Sequence, residues 1–166
     1  MQIHRIKKWT KTIITYSLFF AVISWGIDYY RGGEVPRETL PVLMTTTVQG
    51  ESVDLMALSQ DQAVVVYFWA TWCVPCKTVT PTINWLSDHL PVVSVALSSG
   101  EDERLTRYLT AKGYDFPVIN DNQSKISREW GISITPTILI VKDGKVTSLT
   151  TGFTTPFGIL YRYLTA

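Results

Sequence analysis

The apolar positions of this chain fall into distinct rhythms, and each rhythm predicts a different element. Residues 12–27 (TIITYSLFFAVISWGI) carry no charge, with Trp9 before them and Tyr29 and Tyr30 after them. Sixteen residues at about 1.5 Å each fall short of a hydrocarbon core about 30 Å thick, but counting from Trp9 to Tyr30 supplies the length. Aromatic residues favour the two membrane interfaces, so 12–30 is expected to be a transmembrane anchor. Residues 31–41 (RGGEVPRETLP) mix two Gly, two Pro and four charges, the composition of an extended linker, and the folded domain is expected over 42–166. Residues 44–48 and 52–55 flank Gln49-Gly50-Glu51 as a hairpin. Residues 63–69 (AVVVYFW) form an unbroken β-branched and aromatic run, the pattern of a central strand buried on both faces. Val79, Ile83, Leu86 and Leu90 then recur at helical spacing as far as Pro91.

A second buried strand is expected at 92–97, followed by a helix that Ser99 can cap, with Leu105, Tyr108 and Leu109 inward and an end near Gly113. Residues 138–141 and 146–149 flank an Asp143-Gly144 turn and should pair antiparallel. Thr155-Pro156 opens a last helix carrying Phe157, Leu160, Tyr161 and Leu164. The order strand, helix, strand, helix, hairpin, helix implies an α/β domain with a mixed sheet and helices on its faces.

Charge adds an orientation. Four of the fifteen basic residues, Arg5, Lys7, Lys8 and Lys11, lie in the first eleven positions, which hold no acid; the remainder carries eleven bases against fourteen acids, a net −3. Residues 1–11 are therefore expected to be a cytoplasmic basic tail, because Arg31, Glu34, Arg37 and Glu38 balance one another on the other side of the apolar run. The rival is a cleaved signal peptide, whose site would be Ser24-Trp25-Gly26, a poor match to the small-residue pattern. No Cys closes the apolar run, which excludes lipid attachment there. A weakly acidic body offers no basic stripe for phosphates and argues against nucleic acid as a partner.

The only cysteines are Cys73 and Cys76, in Trp72-Cys73-Val74-Pro75-Cys76-Lys77, at the junction of buried strand and helix. A thiolate at a helix N-terminus meets the positive end of the macrodipole and free backbone N–H groups, which lower its pKa. Cys73 is expected to attack, and Cys76, one turn deeper, to displace the partner from the mixed disulfide. Pro75 is tolerated because the first turn has no internal N–H bond to lose. Other readings stay open. A static bridge is one, although small disulfide-stapled domains spread several bridges across loops. Structural zinc needs four ligands, and the two histidines, His4 in the tail and His89 at the far end of the helix, do not complete a set. Two thiolates can hold Cu(I), which would make the chain a binding protein, and a redox-inert scaffold is a further class.

FWATWCVPCK at 68–77 and GISITPTILIVKDGKV at 131–146 resemble the thioredoxin superfamily. FWATWCVPC and the preceding hairpin are similar to its membrane-tethered TlpA-like branch, most of all to the suppressor of copper sensitivity protein D group. The resemblance implies a thioredoxin-like α/β fold with an N-terminal hairpin extension behind a single transmembrane helix. It implies a thiol-disulfide oxidoreductase with a redox-active Cys73–Cys76 disulfide, no other cofactor and no metal, and a cis Pro136 beside the cysteines. Trp72, Thr135 and Pro136 would line the partner groove, the Thr135 backbone pairing with an extended segment as in strand addition, and Val74-Pro75 would tune the redox potential. Partners would be protein thiols and disulfides in the bacterial periplasm, with a transmembrane thiol transporter as electron donor. The chain would be a single-pass inner-membrane reductase with links to copper tolerance or cytochrome c maturation. Two departures stand out: the pattern's buried Asp is Tyr67 here, and the Glu of related tethered reductases is Val79. The pair also lacks the histidine of strongly oxidising relatives, so a moderately reducing or intermediate potential is expected.

Overall fold

The structure, a computed structural model, describes residues 9, 11–16, 18, 19, 22, 23, 26, 35, 36 and 40–166. The basic tail expected at 1–11 and the linker at 31–41 therefore fall largely outside the described residues, and the anchor expected at 12–30 falls partly outside them. Among those described, no helix is long and apolar enough to cross a membrane. The chain divides into two compact units, Met1–Gly33 and Glu34–Ala166, and the elements below belong to the second. Its packing begins earlier than Val42: Val35 and Leu40 are buried in the core together with Leu43. Isolated apolar residues among Gly, Pro and charges make no periodic pattern, which is why composition assigned them to a linker.

Strands β1 (Met44–Thr46) and β2 (Ser52–Asp54) pair antiparallel, Thr46 opposite Ser52. The loop between them is fastened to the main sheet. Val48 N–H donates to Val118 O (2.8 Å), Gln49 Nε2 donates to Phe116 O (3.0 Å), and Val118 N–H donates to Gln49 Oε1 (3.1 Å). Helix α1 (Leu55–Asp61) follows where the sequence suggested a strand end; Asp54 caps it by accepting from Ala57 N–H at 3.1 Å. A seven-residue helix offers too little periodicity to be read as one.

Strand β3 (Val64–Trp69) lies at the centre of the sheet with all six residues fully buried. Helix α2 (Cys76–Ser87) presents Cys76, Val79, Thr80, Ile83 and Leu86 inward. It stops at Ser87 and not at Pro91, the N–H groups of His89 and Leu90 both turning back to Leu86 O. Strand β4 (Val92–Leu97) leads to helix α3 (Asp102–Lys112), which Gly113 closes at φ 65°. Ser99 does not cap α3. Its hydroxyl donates to Leu97 O and accepts from Thr71 N–H, and Glu101 holds the cap position without a side-chain capping bond.

Strand β5 (Val118–Asp121) and helix α4 (Lys125–Glu129) were not foreseen; both are short, and their sequence lacks a sustained period. Strands β6 (Thr137–Lys142) and β7 (Lys145–Thr151) form the expected hairpin, with Asp143 and Gly144 at φ 51° and 70° as a two-residue turn of positive φ requires. Helix α5 (Pro156–Leu164) starts at Thr155, whose hydroxyl accepts from Gly158 N–H at 3.1 Å. It buries Ile159 and turns Phe157, Tyr161 and Leu164 to solvent.

The main sheet runs β5-β4-β3-β6-β7, parallel across β5, β4 and β3 and antiparallel across β3, β6 and β7. Alternation along β3 splits the core in two. Val65, Tyr67 and Trp69 pack with residues of α2, α3 and α5, and Val64, Val66 and Phe68 pack with the N-terminal hairpin, α1 and Trp130.

Candidate active site

The central strand delivers the cysteines. After Trp69 the chain turns through Ala70, Thr71 and Trp72, and Cys73 N–H closes the turn on Ala70 O at 3.2 Å. Cys73 and Cys76 form a disulfide with Cα atoms 5.3 Å apart. Helix α2 begins at Cys76, so Cys73 stands in the turn ahead of the helix and not within its first turn. One N-terminal donor still reaches it: Cys76 N–H lies 3.2 Å from Cys73 Sγ. In this oxidised state both residues are buried, Cys73 at 4% exposed and Cys76 at 1%, so the sulfur-bearing residue with the greater access is Cys73. Trp72 and Val74 beside them are 62% and 70% exposed.

Trp72 is exposed but fastened. Its Nε1–H donates to Ser98 O at 3.1 Å. Ser98 adopts a left-handed backbone (φ 41°), gives its N–H to Asp121 O and shares a 2.7 Å hydroxyl contact with Ser124. The loops after β3, β4 and β5 thus converge at the end of the sheet where the cysteines sit. The Thr135-Pro136 bond is cis. Phe68 pairs with Thr137 across β3 and β6, which sets Thr135 and Pro136 at the same end of the sheet as the turn to Cys73. Thr137 Oγ1 donates to Ile134 O at 2.7 Å and Gly152 N–H to Pro136 O at 2.8 Å, bracing that segment from both sides. Pro136 is buried and Thr135 is half-buried.

Beneath the disulfide the structure is polar but uncharged. Tyr67, fully buried, meets Thr80 hydroxyl to hydroxyl at 2.9 Å, and Thr80 Oγ1 donates to Cys76 O at 2.7 Å. Burial drives the Tyr67 phenol far above its ordinary range. Trp69 Nε1–H donates to Ser94 Oγ, which donates to Pro117 O. Among the described residues the only buried carboxylate is Asp121, which accepts from the N–H groups of Ile126 and Ser127 and from the Ser127 hydroxyl. Val79, at the place of the acid in related reductases, is apolar core. In the sequence Tyr67 stands out only as a departure and Ser99 only as a helix cap; Thr80, Ser98 and Thr137 give no signal, because their partners lie elsewhere in the chain or on its backbone. Among the described residues no group of three or more His, Cys, Asp or Glu is placed to hold a metal ion. What the arrangement can do is open and close one disulfide against another thiol.

Comparison with known proteins agrees on this chemistry. The redoxin family model matches residues 31–161. A thioredoxin-like protein of Haemophilus influenzae is 36% identical over 159 residues, covering 95% of each chain. The thiol-disulfide oxidoreductase ResA of Bacillus thuringiensis is 32% identical over 132 residues, 73% of this chain and 76% of that one. Among solved structures, StoA from Bacillus subtilis matches with a TM-score of 0.65 at 22% identity over 74% of this chain and 96% of its own, a likeness of fold.

Proposed function

The chain belongs to the redoxin family as a TlpA/ResA-like thiol-disulfide oxidoreductase of the thioredoxin superfamily, and we propose that Cys73 is its nucleophile and Cys76 its resolving thiol. The observation that carries the assignment is the asymmetry of the pair: Cys73 stands in the turn ahead of the helix, is the more exposed residue of the two and accepts the Cys76 N–H on its sulfur, whereas Cys76 is the first residue of the helix. A backbone N–H aimed at sulfur stabilises the thiolate form. In the reduced protein the Cys73 thiolate attacks a partner disulfide; a Cys73–partner bond forms, and the partner's other sulfur departs as thiolate. Cys76 then gives up its proton and attacks Cys73 Sγ, the intramolecular disulfide forms, and the partner leaves reduced. Two electrons have passed from the cysteine pair to the partner.

The same reading extends to the surroundings. Trp72, Thr135 and Pro136 form the partner groove at the end of the sheet where the cysteines sit, with Val74 and Pro75 tuning the potential, and the partners are protein thiols and disulfides. The apolar segment 12–27 tethers the domain to the bacterial inner membrane as a single span, with residues 31–166 in the periplasm. The charge step at Lys11 supports that orientation. The match to the Haemophilus protein leaves only about eight residues of this chain uncovered, too few to omit the apolar segment. In an oxidising compartment a reductase needs electrons from the cytoplasm, for which a transmembrane thiol transporter is the donor; the downstream role is copper tolerance or cytochrome c maturation.

Trapping in cells tests the proposal. Cys76→Ser should accumulate mixed disulfides that fractionate with the inner membrane, and Cys73→Ser should accumulate none. Equal trapping by both variants overturns the assignment, a mature chain beginning near Ile27 overturns the tether, and reduced protein that binds one Cu(I) without turning over any disulfide overturns the enzyme in favour of a copper carrier.

A further inference from the structure

The helix that carries the resolving sulfur has proline before its first residue and within it. Pro75 precedes it as a cap residue without a side-chain bond, and Pro81 sits inside α2. Proline has no N–H, so Lys77 O lacks its regular helical donor. The carbonyl one residue earlier, that of Cys76, is reached by two hydroxyls in series. Thr80 Oγ1 donates to Cys76 O at 2.7 Å, and Tyr67 OH from the central strand lies 2.9 Å from Thr80 Oγ1. A threonine hydroxyl has one proton. Because Thr80 spends it on the Cys76 carbonyl, the proton between the two hydroxyls is the one from Tyr67. The phenol is wholly buried and held neutral by that burial, so the chain of donors runs one way, from β3 through Thr80 to the backbone of Cys76.

We propose that Tyr67 and Thr80 are positioning residues for Cys76, tying its carbonyl to the central strand so that its sulfur stays within reach of Cys73 once the disulfide opens. The proposal rests on the exchange reaction assigned to Cys73 and Cys76. It separates the two half-reactions. Attack by Cys73 on a partner disulfide uses the turn ahead of the helix and does not require Cys76 to be held. Resolution does: the Cys76 thiolate must meet Cys73 Sγ, forming the Cys73–Cys76 bond as the Cys73–partner bond breaks. The partner departs as a thiolate with the bonding pair and takes up a proton equivalent to the one Cys76 released.

Reduced full-length protein, mixed with a peptide disulfide and quenched with acid at intervals, reads the two steps separately. Tyr67→Phe and Thr80→Val should leave formation of the mixed disulfide within about twofold of wild type and slow its resolution about three- to tenfold, the effect of losing one neutral hydrogen bond. The adduct should therefore accumulate. Thr80→Ser, which keeps the hydroxyl, should restore the wild-type ratio of the two rates. Resolution unchanged in Tyr67→Phe, both steps slowed equally, or no rescue by Thr80→Ser overturns the inference while leaving the enzyme assignment intact. Wild-type protein that forms no mixed disulfide removes the enzyme assignment, and this inference with it.

Discussion

Trp72 holds most of its ring in solvent yet gives its indole N–H to Ser98 O. An exposed tryptophan free to swing loses rotamer freedom when a partner docks, and a fastened one has given it up in advance. Trp72→Phe keeps an aromatic face and removes the fastening. It should lower kcat/KM toward a protein disulfide about three- to tenfold, the worth of one hydrogen bond, and move Tm by less than about 2 °C, since no buried group is left unpaired. Steady-state kinetics beside a thermal melt checks both halves; an unchanged kcat/KM means that Trp72 is only packing. Cys73, Cys76 and Pro136 were legible in the sequence because each is declared by its immediate neighbours. Ser98 was not, being 26 residues from Trp72 and contributing a carbonyl that every residue possesses. The hydroxyls of Tyr67 and Thr80 were hidden for a related reason: their meaning lies in a contact between strand and helix that only folding creates.

At the scale of elements, long uniform patterns were readable and short ones were not. Strand β3 announced itself by an unbroken apolar run, β4 by one interrupted only at Ser94, and the β6–β7 hairpin by Asp143-Gly144. Helices α1 and α4 and strand β5 escaped, because four to seven residues hold at most about two periods of either repeat, too few to tell one from the other. Helix α1 matters to the hairpin nonetheless. Ser59, fully buried on α1, accepts Gly144 N–H on its hydroxyl (3.1 Å) and Asp143 N–H on its carbonyl (2.8 Å). A Cβ on Gly144 would stand 2.7 Å from Met56 Sδ, in a backbone conformation (φ +70°) that L residues avoid. Gly144→Ala should therefore cost about 1–2 kcal/mol from the backbone alone, plus a steric part that Met56→Ala in the same chain relieves. Urea unfolding of the single and double variants measures the two contributions; full recovery in the double variant would show that the backbone conformation costs nothing.

The molecule as a whole keeps charge out of the half of its core that surrounds the disulfide, and this has a signature in its response to alkali. Tyr67, Tyr108 and Tyr114 all have their phenols raised, chiefly by burial, Tyr67 by far the most. In the unfolded chain these phenols ionise near pH 10, and in the folded protein they resist. The unfolded state then holds fewer protons, so stability that is complete below about pH 10 falls as pH rises toward the folded values. For Tyr67 the slope approaches about 1.4 kcal/mol per pH unit. Urea titrations from pH 8 to 11.5 should show a steeper decline in wild type than in Tyr67→Phe; parallel declines would contradict the burial of the phenol.

The bonds of Gln49 bear on a hazard that has nothing to do with redox chemistry. β5 is the border of the sheet, and a border strand displays unused N–H and C=O groups to any extended chain nearby. Gln49 answers them with its own side-chain amide, which imitates a peptide group by accepting from Val118 N–H and donating to Phe116 O. The neighbouring Val48 N–H occupies Val118 O. A fragment of the N-terminal loop thus serves as a counterfeit sixth strand. The β5 flank is in this way kept from pairing with extended chains, copies of this one among them.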